Sequence, residues 1–455
     1  MEREKFGSRL GFILISAGCA IGIGNVWRFP YVVGNNGGGC FVLFYILFLV
    51  ILGLPILTME FSVGRGSQQS ISRAFKTLEK KGQYWHLHGY SGMAGNYILM
   101  MFYTTVSGWM LRYFFDTAKG DFVNADTNAV QNHFSNMNAI PSEMIFWTTL
   151  VIIVGFLVCS LGLQNGVEKI SKVMMIALLV IMVVLAINSI FLEGAGKGLY
   201  FYLVPDFEQI KKVGLINVIV AAMNQAFFTL SIGMGSMTIF GSYLGKDRSL
   251  LGESINIVAL DTFVAIVSGL IIFPTCFAFG VSPDQGPKLI FVTLPNIFAK
   301  MPGGRIWGSC FFIFMAFAAF STVIAVFENI MSSCMDLWKW SRKKTAIINA
   351  IIITVTSIPC VLGFNVWSGF MPFGKNTNVM DLEDFLISNL ILPIGSLIYT
   401  LFCTSRYGWG WDNYIKEVNS GSGLKVPKQI RFYCKWILPI TIIFIIVNGL
   451  ISKFF

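Results

Sequence analysis

Long apolar stretches alternate with short polar ones from one end of the chain to the other. They lie near 9–33, 40–64, 89–115, 144–163, 168–191, 213–242, 253–277, 303–336, 343–364, 384–404 and 433–453. Each is close to or longer than the roughly 20 residues a helix needs to cross a bilayer. The pattern predicts an all-α polytopic membrane protein with eleven transmembrane helices. Two stretches are interrupted in the same way. The first carries GCAIGIGN at 18–25, running on into VWRFPY, and the sixth carries FFTLSIGMG at 227–235. Glycine weakens a helix and proline breaks one. Irregular backbone at membrane depth survives only where it is buried in protein or lines a cavity. The interruptions open two successive blocks of five spans, and paired breaks of this kind point to the binding site of a transporter built from inverted repeats. The expected division is a first repeat over 1–191, an outer loop over 192–212, a second repeat over 213–404, and a cytoplasmic loop with the last span over 405–455.

Composition agrees with this reading. Of 455 residues, 55% are hydrophobic and 12% charged, against roughly 25% charged in soluble domains. The formal charge of +10 could suggest nucleic acid, but its distribution argues against it. With the N-terminus in the cytoplasm, most of the 33 Lys and Arg fall on inner loops, among them Arg65, Arg73, Lys80, Lys81, Lys169, Lys172, Lys246, Arg248 and Lys343. That is a topology signal, and no nucleic-acid partner is expected. Eleven spans put the C-terminus on the extracytoplasmic side. The short charged start, MEREKFGSR, lacks the small-residue cleavage site of a signal peptide. The nine cysteines show neither metal spacing nor a disulfide framework. His86, His88 and His133 form no zinc or triad constellation at mid-membrane, so catalysis is not expected.

The stretch RLGFILISAGCAIGIGNVWRFPYVVGNNGGG (9–39), with GLP at 53–55, EF at 60–61, QAFFTLS at 225–231 and VSG at 267–269, resembles the neurotransmitter:sodium symporter family. The likeness covers essentially the whole chain apart from a twelfth helix. It implies a 5+5 inverted-repeat fold and sodium-driven uptake by alternating access in a bacterial inner membrane. It also implies two sodium sites. The first uses the Ala20 carbonyl, the Asn25 side chain, the carbonyl and hydroxyl of Thr229, and Asp261 where the family usually has Asn. The second uses the carbonyls of Gly18, Ile21 and Ala318 with the hydroxyls of Ser321 and Thr322. Chloride-using relatives hold the anion near residues matching Tyr45, Gln225, Thr229 and Asp261, with a serine one turn further on. Here that position is Ala265, so no chloride is expected.

The resemblance places an amino acid beside the two breaks. Its carboxylate would meet the amides of Ile23 and Gly24, the Tyr103 hydroxyl and the first sodium. Its ammonium group would meet carbonyls of the broken segments, among them those of Ala20 and Thr229. Its side chain would face Leu99, Phe228, Ser231, Met234 and Val326, with Thr322 at the edge. None of these is charged, and a charged substrate side chain would lack a counter-ion. Relatives for monoamines carry Asp at the position of Gly22, in place of the missing substrate carboxylate. The expected substrates are therefore Tyr, Trp, Phe and Leu.

Gating residues follow from the same likeness. Arg28 and Asp384 would form a direct or water-linked outer gate, with Tyr103 and Phe228 as a lid below it. Arg3 and Asp336 would pair at the inner end, beside Phe6, where the family usually has Trp, and Tyr243. Some bacterial relatives unwind span five between a Gly and a Pro ten residues apart. Here Gly166 is followed at that distance by Ile176. An amino-acid-gated channel and a non-transporting sensor are the competing classes, and the chain is expected to work as a monomer or weak dimer in the lipid bilayer. A channel needs a continuous pore, whereas this chain gathers its polar groups at one depth with barriers on either side.

Overall fold

The computed structural model describes residues 4–281 and 289–454. Eight helices are long and apolar enough to cross a membrane by length and composition. Span one is a bent pair, Arg9–Ala20 and Gly24–Asn35, turning through 54°. Span three, Leu87–Lys119, is 33 residues long but more polar, with His88, Asn96 and Thr104 among its buried side chains. Span six is two pieces, Leu215–Thr229 and Ser236–Ser242. Counted this way, the described residues contain the eleven expected spans. A further bend of 95° joins Phe207–Val213 to Leu215–Thr229. The first of these helices is short and carries Glu208, Lys211 and Lys212, as suits a segment lying outside the hydrocarbon.

Span ten starts earlier than its apolar stretch suggests, at Val379 rather than near 384. Asn378 caps it: its Oδ1 accepts from the Met380 amide at 2.8 Å, and the Asp381 side chain accepts in return from the Asn378 amide at 2.8 Å. This reciprocal cap satisfies the first free donors of the helix, so the acidic DLED run is helical rather than loop. Span five begins with a π-helical turn, Leu163–Glu168, and then runs unbroken from Lys169 to Ile190.

Both breaks lie at the centre of the molecule. The first half of span one stops at Ala20, and Ile21 is extended, with φ −72° and ψ 100°. In span six Ser231, Gly233 and Gly235 all have positive φ, a conformation that only glycine adopts without strain. Two neighbours hold that gap. Glu60 of span two (Gly39–Ser67) is fully buried and accepts from the Gly233 and Met237 amides at 2.8 and 3.0 Å. Asn96 of span three donates to the Met234 carbonyl at 2.9 Å. These contacts meet polar groups that would otherwise be stranded at membrane depth. Spans seven (Leu250–Ala278), eight (Gly304–Trp338) and nine (Arg342–Leu362) complete the packing around this centre. The face that carries residues 4–8 is called the inner face below.

Candidate functional site

A helix end leaves its last carbonyls without amide partners, and the end of the first half-helix at Ala20 does so beside span eight. Ser321 Oγ lies 3.0 Å from the Gly18 carbonyl, 3.3 Å from that of Ile21 and 2.9 Å from that of Ala318. Thr322 Oγ1 lies 3.2 Å from Gly18 O and 3.3 Å from Ile21 O. A hydroxyl has one proton to donate. With the Cys19 carbonyl 3.4 Å from Thr322 Oγ1, two protons face four carbonyl oxygens, and the surplus of lone pairs is the environment a hard cation requires.

A second polar cluster joins spans one, six and seven. Asp261 is fully buried. Its Oδ1 accepts from Asn25 Nδ2 at 2.8 Å, and its Oδ2 accepts from the Thr229 hydroxyl at 3.1 Å. The Tyr45 hydroxyl donates to Thr229 Oγ1 at 3.4 Å, and Gln225 donates to the Gly24 carbonyl at 3.2 Å. Among the described residues the carboxylate has hydroxyl and amide donors but no Lys or Arg. An ionised carboxylate buried in this way is costly unless a cation joins it.

Between the two clusters lies a small cavity of about 20 Å³. Of the residues named from the sequence, Ala20, Gly24, Leu99, Tyr103, Phe228, Ser231, Met234 and Thr322 line it. Gly22, Ile387 and Leu392 line it as well. Three expected residues stand back from it. Val326 is fully buried beyond Thr322, and Thr229 turns towards Asp261. The Ile23 amide already donates to the Tyr103 hydroxyl at 2.9 Å. A Cβ on Gly22 would sit 2.2 Å from that hydroxyl and 2.6 Å from Thr322 Oγ1, so a larger residue there has to displace both side chains. Larger cavities open on the surfaces, one of about 410 Å³ beside Thr117, Phe122 and Arg305 and one of about 260 Å³ beside Phe6 and Arg9. Neither includes an oxygen of the two clusters.

The cavity is shut at both ends. On the outer side the Arg28 guanidinium lies 4.0 Å from the centre of the Phe228 ring. Arg28 and Asp384 do not pair directly. Ser388 stands between them, accepting from Arg28 at 3.3 Å and donating to Asp384 at 2.7 Å. On the inner side Phe6 packs against Phe12, Phe240 and Tyr243 with centroids 5.5, 6.3 and 5.7 Å away. The expected inner pair cannot be read, because Arg3 lies outside the described residues. Its partner Asp336 accepts from the Ser70 amide at 2.8 Å. A further cluster of inner charges surrounds Glu328, which is fully buried. Arg342 donates to both its oxygens, at 2.8 and 2.9 Å, and also to Glu4 at 3.0 Å. The Tyr243 hydroxyl donates to Glu328 at 2.7 Å. The sequence reading missed Glu328, although an acid in the apolar run AAFSTVIAVFENI is itself a signal.

Two broken helices facing each other across an enclosed, oxygen-rich centre define a secondary membrane transporter. The chain belongs to the sodium:neurotransmitter symporter family, whose model matches residues 3–140 and 117–454. It is similar to the sodium-dependent transporter YhdH of Bacillus subtilis, with 33% identity over 98% of each chain. It is 25% identical to the sodium- and chloride-dependent GABA transporter 2 of Rattus norvegicus, over 95% of this chain and 77% of that one. The solved structure of MhsT in complex with L-phenylalanine has 37% identity and a TM-score of 0.88, covering 98% of this chain and all of that one. The fold is therefore the family's 5+5 inverted repeat, and the protein is a sodium-dependent, multi-pass membrane transporter rather than an enzyme.

Proposed function

We propose that the chain carries a free, hydrophobic L-amino acid into the cell with two sodium ions and without chloride, aromatic side chains being preferred. The excess of oxygen over protons around Ser321 and Thr322 is the observation that carries the reading. Those hydroxyls, with Gly18, Ile21 and Ala318, hold one ion. Ala20, Asn25, Thr229 and Asp261 hold the other, the Asn25 amide turning its oxygen inward to do so. Asp261 supplies there the negative charge that an anion would bring, and Ala265 offers an anion no hydroxyl. The substrate carboxylate enters by displacing the Tyr103 hydroxyl from the Ile23 amide. Gly22 leaves that space clear, and the solved complex of the similar MhsT with L-phenylalanine supports an aromatic side chain. A space of about 20 Å³ holds little more than one water. Phe228 and the adaptable Met234 must therefore give way when substrate binds. The inner face is cytoplasmic, and the site is complete within one chain, so a monomer suffices.

The test is uptake of L-phenylalanine into proteoliposomes, competed by each L-amino acid in turn, with sodium or choline outside and with chloride or gluconate. Tyr, Trp, Phe and Leu should compete best, sodium should be required, and gluconate should change nothing. Better competition by Glu, Lys or tyramine would overturn the substrate reading, and collapse in gluconate would overturn the role of Asp261. Ser321→Ala and Thr322→Ala each remove one oxygen from the second shell. Each should lose about 1–3 kcal/mol, or roughly tenfold or more in sodium affinity, as read by sodium-dependent substrate binding.

A further inference from the structure

The outer face carries a polar cluster that the transport site does not use. Asp116, near the outer end of span three, is fully buried. Its Oδ2 lies 2.9 Å from His133 Nε2 and 2.8 Å from Arg112 Nε, and Arg112 in turn lies 3.0 Å from Glu143 at the start of span four, Pro141–Ser160. Asp116 Oδ1 has no partner among the described residues. His133 belongs to the outer helix Thr127–Ala139, which buries few of its side chains. The imidazole is wedged between the rings of Phe122 at 4.9 Å and Tyr113 at 5.6 Å.

The next residue along this helix reaches the gate. Phe134 stacks parallel on Phe291, with centroids 5.4 Å apart. Phe291 sits in the buried turn Leu289–Thr293 and meets Trp27 edge-on at 6.0 Å. Trp27 immediately precedes Arg28. Tyr113 donates to the Phe291 carbonyl at 2.9 Å. A single step of sequence thus links a hydrogen bond on span three to the plug above the outer gate.

We propose that His133 is a positioning residue for the outer gate, clasping the outer helix to Asp116 so that Phe134 holds Phe291 against Trp27. The inference rests on the alternating-access reading above. Opening the outer path requires Phe291 to leave Trp27, and therefore requires Phe134 to yield or the clasp to part. An imidazole N–H directed at the Asp116 carboxylate makes a charge-assisted bond, stronger than one between neutral groups. The charged groups on the elements packed around it are Arg112, Asp116 and Lys119 on span three, Glu143 on span four, and Lys300 on the helix Leu294–Lys300. Of the groups in the cluster, His133 alone belongs to the outer helix.

Two measurements on the full-length protein decide the matter. The first is sodium-driven uptake of L-phenylalanine. His133→Ala removes the clasp and should lower the external KM about two- to fivefold, as the loss of a contact of surface ion-pair strength would produce. His133→Gln keeps an N–H donor and should retain the wild-type KM. The second is hydrogen exchange of the segments 127–139 and 289–300 in detergent. Protection should fall in His133→Ala and be retained in His133→Gln. A His133→Ala profile that follows wild type in either measurement overturns the proposal, as does a His133→Gln profile that follows His133→Ala. Absence of sodium-driven uptake in wild type would instead strike the transport reading, leaving the exchange measurement to judge the clasp.

Discussion

At the outer end of the cavity Arg28 reaches Asp384 only through the Ser388 hydroxyl and rests on the Phe228 ring. At the inner end Arg342 grips both oxygens of Glu328, and Tyr243 and Glu4 add further bonds. The outer contact is mediated and partly aromatic, while the inner one is direct, bidentate and buried. Breaking a buried pair by removing one partner costs far more than losing a hydroxyl bridge. The contact centred on Glu328 therefore depends on one carboxylate, whereas the outer door spreads its closure over several weak contacts.

The sharpest way to break this contrast is Glu328→Gln, which leaves Arg342 without its counter-charge. The loss should be about 3–5 kcal/mol, felt as a shift toward an inner-open state, with uptake falling more than about 100-fold. Cys159 reports on this directly. It is a buried free thiol whose backbone carbonyl accepts from Arg342, and a thiol reagent should modify it faster in the variant. The double change Glu328→Gln with Arg342→Gln should recover part of the uptake, because no charge is then stranded. Unchanged Cys159 labelling in the single variant would remove Glu328 from the seal.

Phe6→Ala should come next. The ring is half-buried and touches three other rings, so its loss should cost about 2 kcal/mol. Cys159 labelling should rise, but less than in Glu328→Gln. Equal effects would mean that the aromatic plug and the ion pair act as one unit. Ser388→Ala should be the mildest, at about 0.5–1.5 kcal/mol. It should speed substrate release to the outside roughly two- to tenfold and leave Cys159 labelling unchanged. A loss as large as that of Glu328→Gln would erase the contrast between the two ends.

The broad plan was legible because membrane solvation is an unforgiving constraint. Glycines and polar residues inside GCAIGIGN and FFTLSIGMG had to lie where backbone could be satisfied, and both segments do break at the centre. The hydroxyls of Ser321 and Thr322 meet the expected carbonyls for the same reason. The hinges of the gates were harder to read. A serine in an apolar span usually bonds back to its own helix, and nothing in LEDFLISNL marks Ser388 as the link between Arg28 and Asp384. The π-helical stretch Leu386–Ile391 changes the facing of that residue. Glu328 was visible as a costly acid, but its partner Arg342 lies beyond a reversal at Lys339, whose φ of +58° is not written in any apolar period. The sequence offers the Ile23 amide and the Tyr103 hydroxyl as separate donors to substrate, and here the amide donates to that hydroxyl.

Glu60 has a kinematic consequence. Its carboxylate takes the place of the backbone that span six lacks, binding the amides of Gly233 and Met237 from a different helix. The gap in one helix is in effect welded by the side chain of another. The second half of span six cannot shift against span two without breaking those bonds, so the two repeats are tied to each other at this point.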